Sequence, residues 1–230
     1  MEMKYNTKVL LADRIKVDLV RVLKDAGEAE PARVLEAWDN HVAAASKGAV
    51  LFLDFFPEYL RKSKKPYVTP WDASRPAATP TGLGDPQTAV EVIRLAAARV
   101  LKKWGRLDVA WGEANRFRFN GVDIAGDGAS GAYGVYKVQI FGNDPKDGHG
   151  AAGWVGKDKP LLGFGDAWVL AVEFTKPLKA FSVVSYGETT NPDSKHCCDQ
   201  IEYFANHKVR PVWFTEEEIK KHLEREYAPE

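Results

Sequence analysis

Apolar positions recur at helical spacing through the amino-terminal part of the chain and give way to alternation beyond it. Leu11, Ile15, Leu19 and Val22 make one helical stripe, and Gly27 stops it. Pro31 opens a second predicted helix with Ala32, Leu35, Trp38 and Val42 on one side. The very apolar stretch from Val50 to Phe56 reads as a short buried helix that Pro57 ends or kinks, with a strand as the alternative. Pro57, Pro66, Pro70, Pro76, Pro80 and Pro86 punctuate the next stretch of chain, which reads as irregular and superficial. Asp85 and Pro86 are N-cap and first-turn proline of a further helix. Ala89, Ile93, Ala96 and Val100 are its buried side, and Gly105 closes it.

After Gly105 the period becomes two. Phe117 and Phe119 alternate with Arg116 and Arg118, and Tyr136, Val138 and Ile140 alternate with Lys137 and Gln139. These patterns predict half-buried strands with the charged positions outward. A glycine-rich connection, long loop or hairpin, spans Phe141 to Asp166. Ala167 to Phe174 is apolar on both faces, Trp168, Leu170, Val172 and Phe174 on one and Val169 and Ala171 on the other, as in a strand covered twice inside a sandwich. Phe181, Val183 and Val184 make another strand after the turn at Lys176-Pro177. Thr215-Glu216-Glu217-Glu218 is a capping box for a last helix whose Ile219 and Leu223 face inward. Helices first and strands afterwards predict an α+β arrangement. Residues 1–105 form a mainly helical segment with a proline-rich connection at 57–86, and residues 106–230 a β-rich segment with a closing helix.

Composition narrows the function classes. The 230 residues carry 32 Lys+Arg and 32 Asp+Glu, so the formal net charge is zero. A dedicated nucleic-acid binder would carry a positive excess to neutralise phosphates. Hydrophobic residues are 45% and charged residues 28%, the balance of a globular chain. No apolar run is long enough to span a bilayer. The start, Met1 to Asn6, has no apolar core and no small-residue cleavage site, so it is not expected to be a signal peptide. The chain is therefore expected to be cytoplasmic or a piece of something larger. Its two cysteines, Cys197 and Cys198, are adjacent and staple no distant segments.

Each candidate site has a plain competitor. Gly126-Asp127-Gly128-Ala129-Ser130-Gly131 satisfies GxGxxG, yet the sequence leaving it reads as strand, so a turn is expected and not a phosphate cradle. His196, Cys197, Cys198 and Asp199, with His207 nearby, lack the spacing of a zinc site. Two partly buried structural cysteines are the better account, and a thiol or metal enzyme using His196 and Cys198 is only a third functional reading. Asp144, Asp147 and Asp158 do not keep calcium-loop spacing. Arg61-Lys62-Ser63-Lys64-Lys65 reads as a solvated basic face.

The carboxyl-terminal third carries a resemblance. Gly163-Phe164-Gly165-Asp166 opens the strand Ala167–Phe174. Val184-Ser185-Tyr186-Gly187-Glu188-Thr189-Thr190-Asn191-Pro192 comes next, then Ser194-Lys195-His196-Cys197-Cys198-Asp199-Gln200, then Arg210-Pro211-Val212-Trp213-Phe214-Thr215. This order resembles the carboxyl end of the penicillin acylase family, N-terminal-nucleophile hydrolases that include acyl-homoserine lactone and cephalosporin acylases. Asn6–Arg14 and Trp111–Arg116 resemble family stretches in the same order, so the resemblance covers nearly the whole chain. Glu188 stands where Gln is usual, Lys195 where Pro is usual and Cys197 where Tyr is usual.

The resemblance implies the carboxyl-terminal portion of an αββα sandwich, within the nucleophile-bearing β subunit. In such acylases a Ser at a freed amino terminus attacks an amide carbonyl, its own α-amine is the general base, and backbone and Asn donors hold the oxyanion. The chain begins Met1-Glu2, and nothing in it matches the family's nucleophile, oxyanion Asn or calcium ligands, which lie upstream. The expectation is an acylase segment with no catalytic residue, cofactor or metal of its own. Its partners would be the α subunit, the amino-terminal part of the β subunit and a small N-acyl amide substrate, with self-association through exposed strands in their absence. A periplasmic or secreted location follows from the resemblance alone. Asp166 matches a position that is often acidic or polar near the catalytic amine, where a carboxylate supports the ammonium; the simpler role is to start a strand. The competing function is a stand-alone, non-catalytic binding or structural module derived from the family.

Overall fold

The computed structural model describes residues 2–119, 121–141, 162–189 and 191–226, in which helices and small antiparallel sheets are mixed as an α+β chain requires. Contacts divide it into two compact units, Glu2–Arg118 with Asp123–Gly165, and Phe119–Val122 with Asp166–Glu230. The first unit holds α1 (Leu10–Asp25), α2 (Ala29–Ala37), α3 (Ala49–Lys62), β1 (Tyr67–Thr69), β2 (Thr81–Leu83) and α4 (Pro86–Trp104). A short α5 (Trp111–Ala114) leads into the hairpin β3 (Arg116–Phe119) and β4 (Val122–Ala125), and β5 (Gln139–Phe141) pairs with β6 (Leu162–Gly165). The second unit is built on β7 (Trp168–Glu173), β8 (Lys179–Val184) and β9 (Arg210–Pro211), with α6 (Ile201–Ala205) and α7 (Glu216–Lys221).

The helical core is aromatic. Phe52, Phe55, Phe56 and Tyr59 of α3 are all fully buried. Phe52 stacks on Phe56 at 5.2 Å between centroids and meets Trp38 at 5.0 Å. Ile15 and Leu19 of α1 and Ala89, Ile93, Ala96 and Val100 of α4 join the same cluster, as their spacing predicts, whereas Leu23 is buried in the place expected of Val22, and Leu11 and Val22 are only partly buried against it. Asp85 accepts from the Thr88 amide at 3.1 Å and Gly105 closes α4 with a left-handed φ of 73°.

Three expectations are corrected. α2 stops at Ala37, so Trp38 and Val42 are buried from the chain beyond it. Asp39 accepts from the His41 amide at 3.0 Å and Asn40 takes a φ of 62°; such local side-chain bonds compete with helix continuation. α3 runs on past Pro57 to Lys62. The proline-rich segment contains the ribbon β1–β2, registered Tyr67 with Leu83 and Thr69 with Thr81. Its ends are tied by one hydroxyl: Tyr59 donates to the Pro66 carbonyl at 2.7 Å and accepts from the Asp85 amide at 3.2 Å.

The facing expected of β3 holds at Phe117, which is buried between the half-buried Arg116 and Arg118, but the facing expected from Tyr136 to Ile140 is reversed. Lys137 and Gln139 are fully buried, while Tyr136 is exposed and Val138 and Ile140 are half-buried. β7 is covered on one face and not on two, since Trp168, Leu170 and Val172 are exposed. In α7 the capping box is present, with Thr215 accepting from the Glu218 amide, but Ile219 and Leu223 lie exposed. That six-residue helix rests on local pairs, Lys220 with Glu216 at 2.6 Å and Lys221 with Glu217 at 2.8 Å.

Asp85→Ala removes the cap of α4 and the acceptor of the Ser63 hydroxyl. The expected loss in urea unfolding is about 1–2 kcal/mol; no measurable loss would show that the cap does not hold the helix.

Candidate functional site

Within the second unit, β7 and β8 pair in register from Trp168 opposite Val184 to Glu173 opposite Lys179. Directly opposed residues share a face, so Val169 and Ala171 lie with Val183 and Phe181, and Trp168, Leu170 and Val172 with Val184, Ser182 and Ala180. Val169 and Val183 are buried, α6 lies against β8, and its Ile201 and Phe204 are buried too. On the opposite face the β7 side chains are open, Trp168 63% exposed, Leu170 45% and Val172 37%, with Phe174 at the strand end 90% exposed, while Ala180 of β8 on that face is buried. Trp168 is anchored there by its indole N–H, which donates to Ser182 Oγ at 2.7 Å.

Asp166 stands at the entrance to β7, half-buried, just before Ala167, whose carbonyl accepts from the buried Ser185 amide at 2.9 Å. The same end of β8 is held by Gln200, which is fully buried. Its Oε1 accepts from the Val184 amide at 3.0 Å, its Nε2 donates to Glu188 at 2.6 Å, and its own amide donates to the Tyr186 carbonyl at 3.1 Å. Sequence reasoning named Gln200 only as part of a motif; the signal was a lone amide side chain heading the apolar start of α6.

His196 is joined to the C-terminal tail. Its ring nitrogens lie 3.1 Å from Asp199 and 3.0 Å from Glu224, Glu224 also meets Lys195 at 2.7 Å, and Arg210 approaches Asp199 at 3.8 Å and Glu188 at 3.9 Å. This is an ion-pair strap. No group of three or more ligating side chains that could hold a metal ion occurs among the described residues. His207 lies beyond α6, where it takes a φ of 59°.

In the first unit, the GxGxxG segment forms a turn. The Gly126 amide donates to Asn115, Gly128 to Val42 and Ala129 to Lys137, which occupies donors that a phosphate would need. Asp127 pairs with Lys137, and the lysine ammonium lies 5.5 Å from the centre of the Tyr5 ring and 5.7 Å from that of Phe117. This buried pair is why the alternation leading into β5 faces the wrong way: a charge turned inward needs a buried counter-charge, and the glycine-rich turn supplies it. A cleft of about 680 Å³ beside it is walled by Trp104, Trp111, Tyr133 and Phe141, and the side-chain carboxamide of Gln139, fully buried at its edge, makes no hydrogen bond among the described residues. In the basic run, Lys62 pairs with Glu91 at 3.1 Å and Glu58 at 3.4 Å. Asp144, Asp147 and Asp158 lie outside the described residues.

The sequence model of the penicillin amidase family matches residues 1–221. The chain belongs to the penicillin amidase family. It is similar to the acyl-homoserine lactone acylase PvdQ of Pseudomonas syringae pv. tomato, 25% identical over 222 residues, which takes in 94% of this chain and 27% of that protein. The protein of the same name from Pseudomonas putida is 28% identical over 222 residues, and that from Pseudomonas fluorescens 24% over 227. The chain thus spans about a quarter of the length of the curated relatives it matches. Within the described residues, no helix of this penicillin amidase family member is long and apolar enough to cross a membrane.

The charged groups set two expected outcomes. Glu224, and after it Asp199, favour the His196 imidazolium and raise its titration above the ordinary 6.5; Lys195, then His196, hold Glu224 below the ordinary 4.5. The raised imidazole strengthens the strap below pH 6.5 and loses that effect as pH climbs through its raised value. The lowered carboxylate contributes above pH 4.5 and fails as pH falls through its lowered value, so the strap is firmest between 4.5 and 6.5. An NMR titration of His196 is expected to centre above 6.5 and to fall in Glu224→Gln; an unchanged midpoint would contradict the strap. Lys137→Met leaves Asp127 buried without its ammonium and is expected to cost about 3–5 kcal/mol in denaturant unfolding; a loss below about 1 kcal/mol would mean the pair is not buried in solution.

Proposed function

We propose that the chain is the carboxyl-terminal segment of an amide-hydrolysing acylase, one that removes N-acyl groups from homoserine lactones, β-lactams or related amides. In this reading the nucleophile, oxyanion donors and any calcium site come from the rest of the enzyme. The observation that carries it is the bare apolar face of Trp168, Leu170 and Val172 in a family member spanning about a quarter of its relatives' length. A contiguous apolar face is costly in water and marks a surface meant for cover. The remaining part of an αββα sandwich is a cover of the right kind, and the names of the relatives favour an acyl-homoserine lactone as substrate.

Asp166 then takes a positioning role. A carboxylate at the head of β7 hydrogen-bonds the ammonium form of the nucleophile's amine and fixes its orientation, while the amine's neutral form accepts the hydroxyl proton as the acyl-enzyme forms.

The test compares the purified chain with the chain combined with a segment corresponding to the remaining length of its relatives, following fatty acid release from N-acyl-homoserine lactones. No turnover is expected from the chain alone, and turnover from the combination. Hydrolysis by the chain alone would overturn the reading, and a combination that assembles without turnover would favour a non-catalytic module. In the assembled enzyme, Asp166→Asn is expected to lower kcat by up to about a hundredfold and to move the acidic limb of the pH–rate profile, with KM little changed.

A further inference from the structure

We propose that Cys197 and Cys198 form a reversible two-electron redox site, closed into one intramolecular disulfide by a low-molecular-weight disulfide. The two Sγ atoms are 3.5 Å apart, with the Cys198 thiol donating to Cys197. Adjacent cysteines do not meet by default, since the two side chains are free to diverge from neighbouring Cα atoms; here both rotamers converge. Their accessibilities differ as the chemistry requires: Cys198 is half-buried and reachable, whereas Cys197 is 2% exposed.

The sequence of steps comes from that asymmetry. The Cys198 thiolate, having given its proton to water, attacks one sulfur of R–S–S–R; that bond breaks, RS⁻ leaves and takes a proton. Cys197 then loses its proton to water as its sulfur attacks Cys198 Sγ, and the second RS⁻ is expelled and takes up a proton. Two protein S–H groups are lost, one S–S bond forms, and one small disulfide is reduced to two thiols. Cα atoms joined by a trans peptide are about 3.8 Å apart, closer than the roughly 4.4–6.8 Å that suits a disulfide. The ring is therefore strained and easily reduced, which makes the site a reversible switch and not a staple.

The backbone around the pair gives the switch something to move. The Glu188 amide donates to the His196 carbonyl at 3.0 Å, and the Gln200 amide to Tyr186 at 3.1 Å. Gly187 is pressed so close that a Cβ there would meet the Cys197 carbonyl oxygen at 2.7 Å. Rotation of the Cys197–Cys198 peptide on ring closure therefore disturbs the turn 186–188 and the Gln200 latch that holds the end of β8.

The experiment treats the folded chain with oxidised glutathione and reads intact mass, then hydrogen exchange. The wild type is expected to lose two hydrogens without keeping a glutathionyl group, and a dithiol reductant to restore them. Cys197→Ser should instead hold one glutathionyl group at residue 198, and Cys198→Ser should stay unmodified while folded. Exchange at the Glu188 and Gln200 amides should rise severalfold in the oxidised wild type alone. A wild type that retains a glutathionyl group, links two chains, or does not react would overturn the proposal. If Cys197→Ser fails to fold, the wild-type mass and the Cys198→Ser control still decide it.

Discussion

A strand with large apolar side chains on both faces has to be covered twice, and β7 is covered once. Val169 lies in the small core that includes Val183, Ile201 and Phe204, all buried in the same unit. Trp168, Leu170 and Val172 on the other face meet solvent. Completing their burial would contribute on the order of 3–5 kcal/mol, more than a short helix such as α7 supplies through its exposed ion pairs. The open face is therefore the main unmet demand of the second unit, and the proposed acylase assembly answers it. The Gln200 latch, the Asp166 position and the His196 strap all sit on the sheet or on chain leaving it.

The helical unit has an enclosed aromatic core by contrast. Its aromatic ridge on α3 is enclosed by α1, α4 and Trp38, and its loops are tied at defined atoms, as with the Tyr59 hydroxyl between Pro66 and Asp85. The buried Lys137–Asp127 pair fits the same pattern of internal closure. Removing either partner strands a charge in low dielectric, so the pair fixes how the glycine-rich turn meets the strand beyond it.

Much of the helical unit was legible because its signals are local. Asp85, Pro86 and Gly105 bound α4 by capping chemistry that needs no tertiary partner. Legibility failed where a distant group decided the outcome. Trp38 leaves the helical stripe because Asp39 and Asn40 build a turn and its indole donates to the His41 carbonyl at 2.8 Å. Lys137 turns inward because Asp127 is waiting there. Ile219 stays outside because α7 has a cap and ion pairs but no surface to pack on among the described residues. The candidate site was less legible still. Asp166 was singled out through resemblance and not through its own chemistry, and the contact between the Cys197 and Cys198 sulfurs depends on rotamers that no spacing rule reports.

Hydroxyl-radical footprinting of the chain, alone and combined with the segment proposed to complete it, tests the central claim most directly. Oxidation of Trp168 and Phe174 is expected to fall severalfold on assembly, while Trp71, exposed on the helical unit, serves as the reference. If assembly forms and Trp168 stays as reactive as in the isolated chain, the open face of β7 is not where the proposed remaining segment binds, which contradicts the proposal.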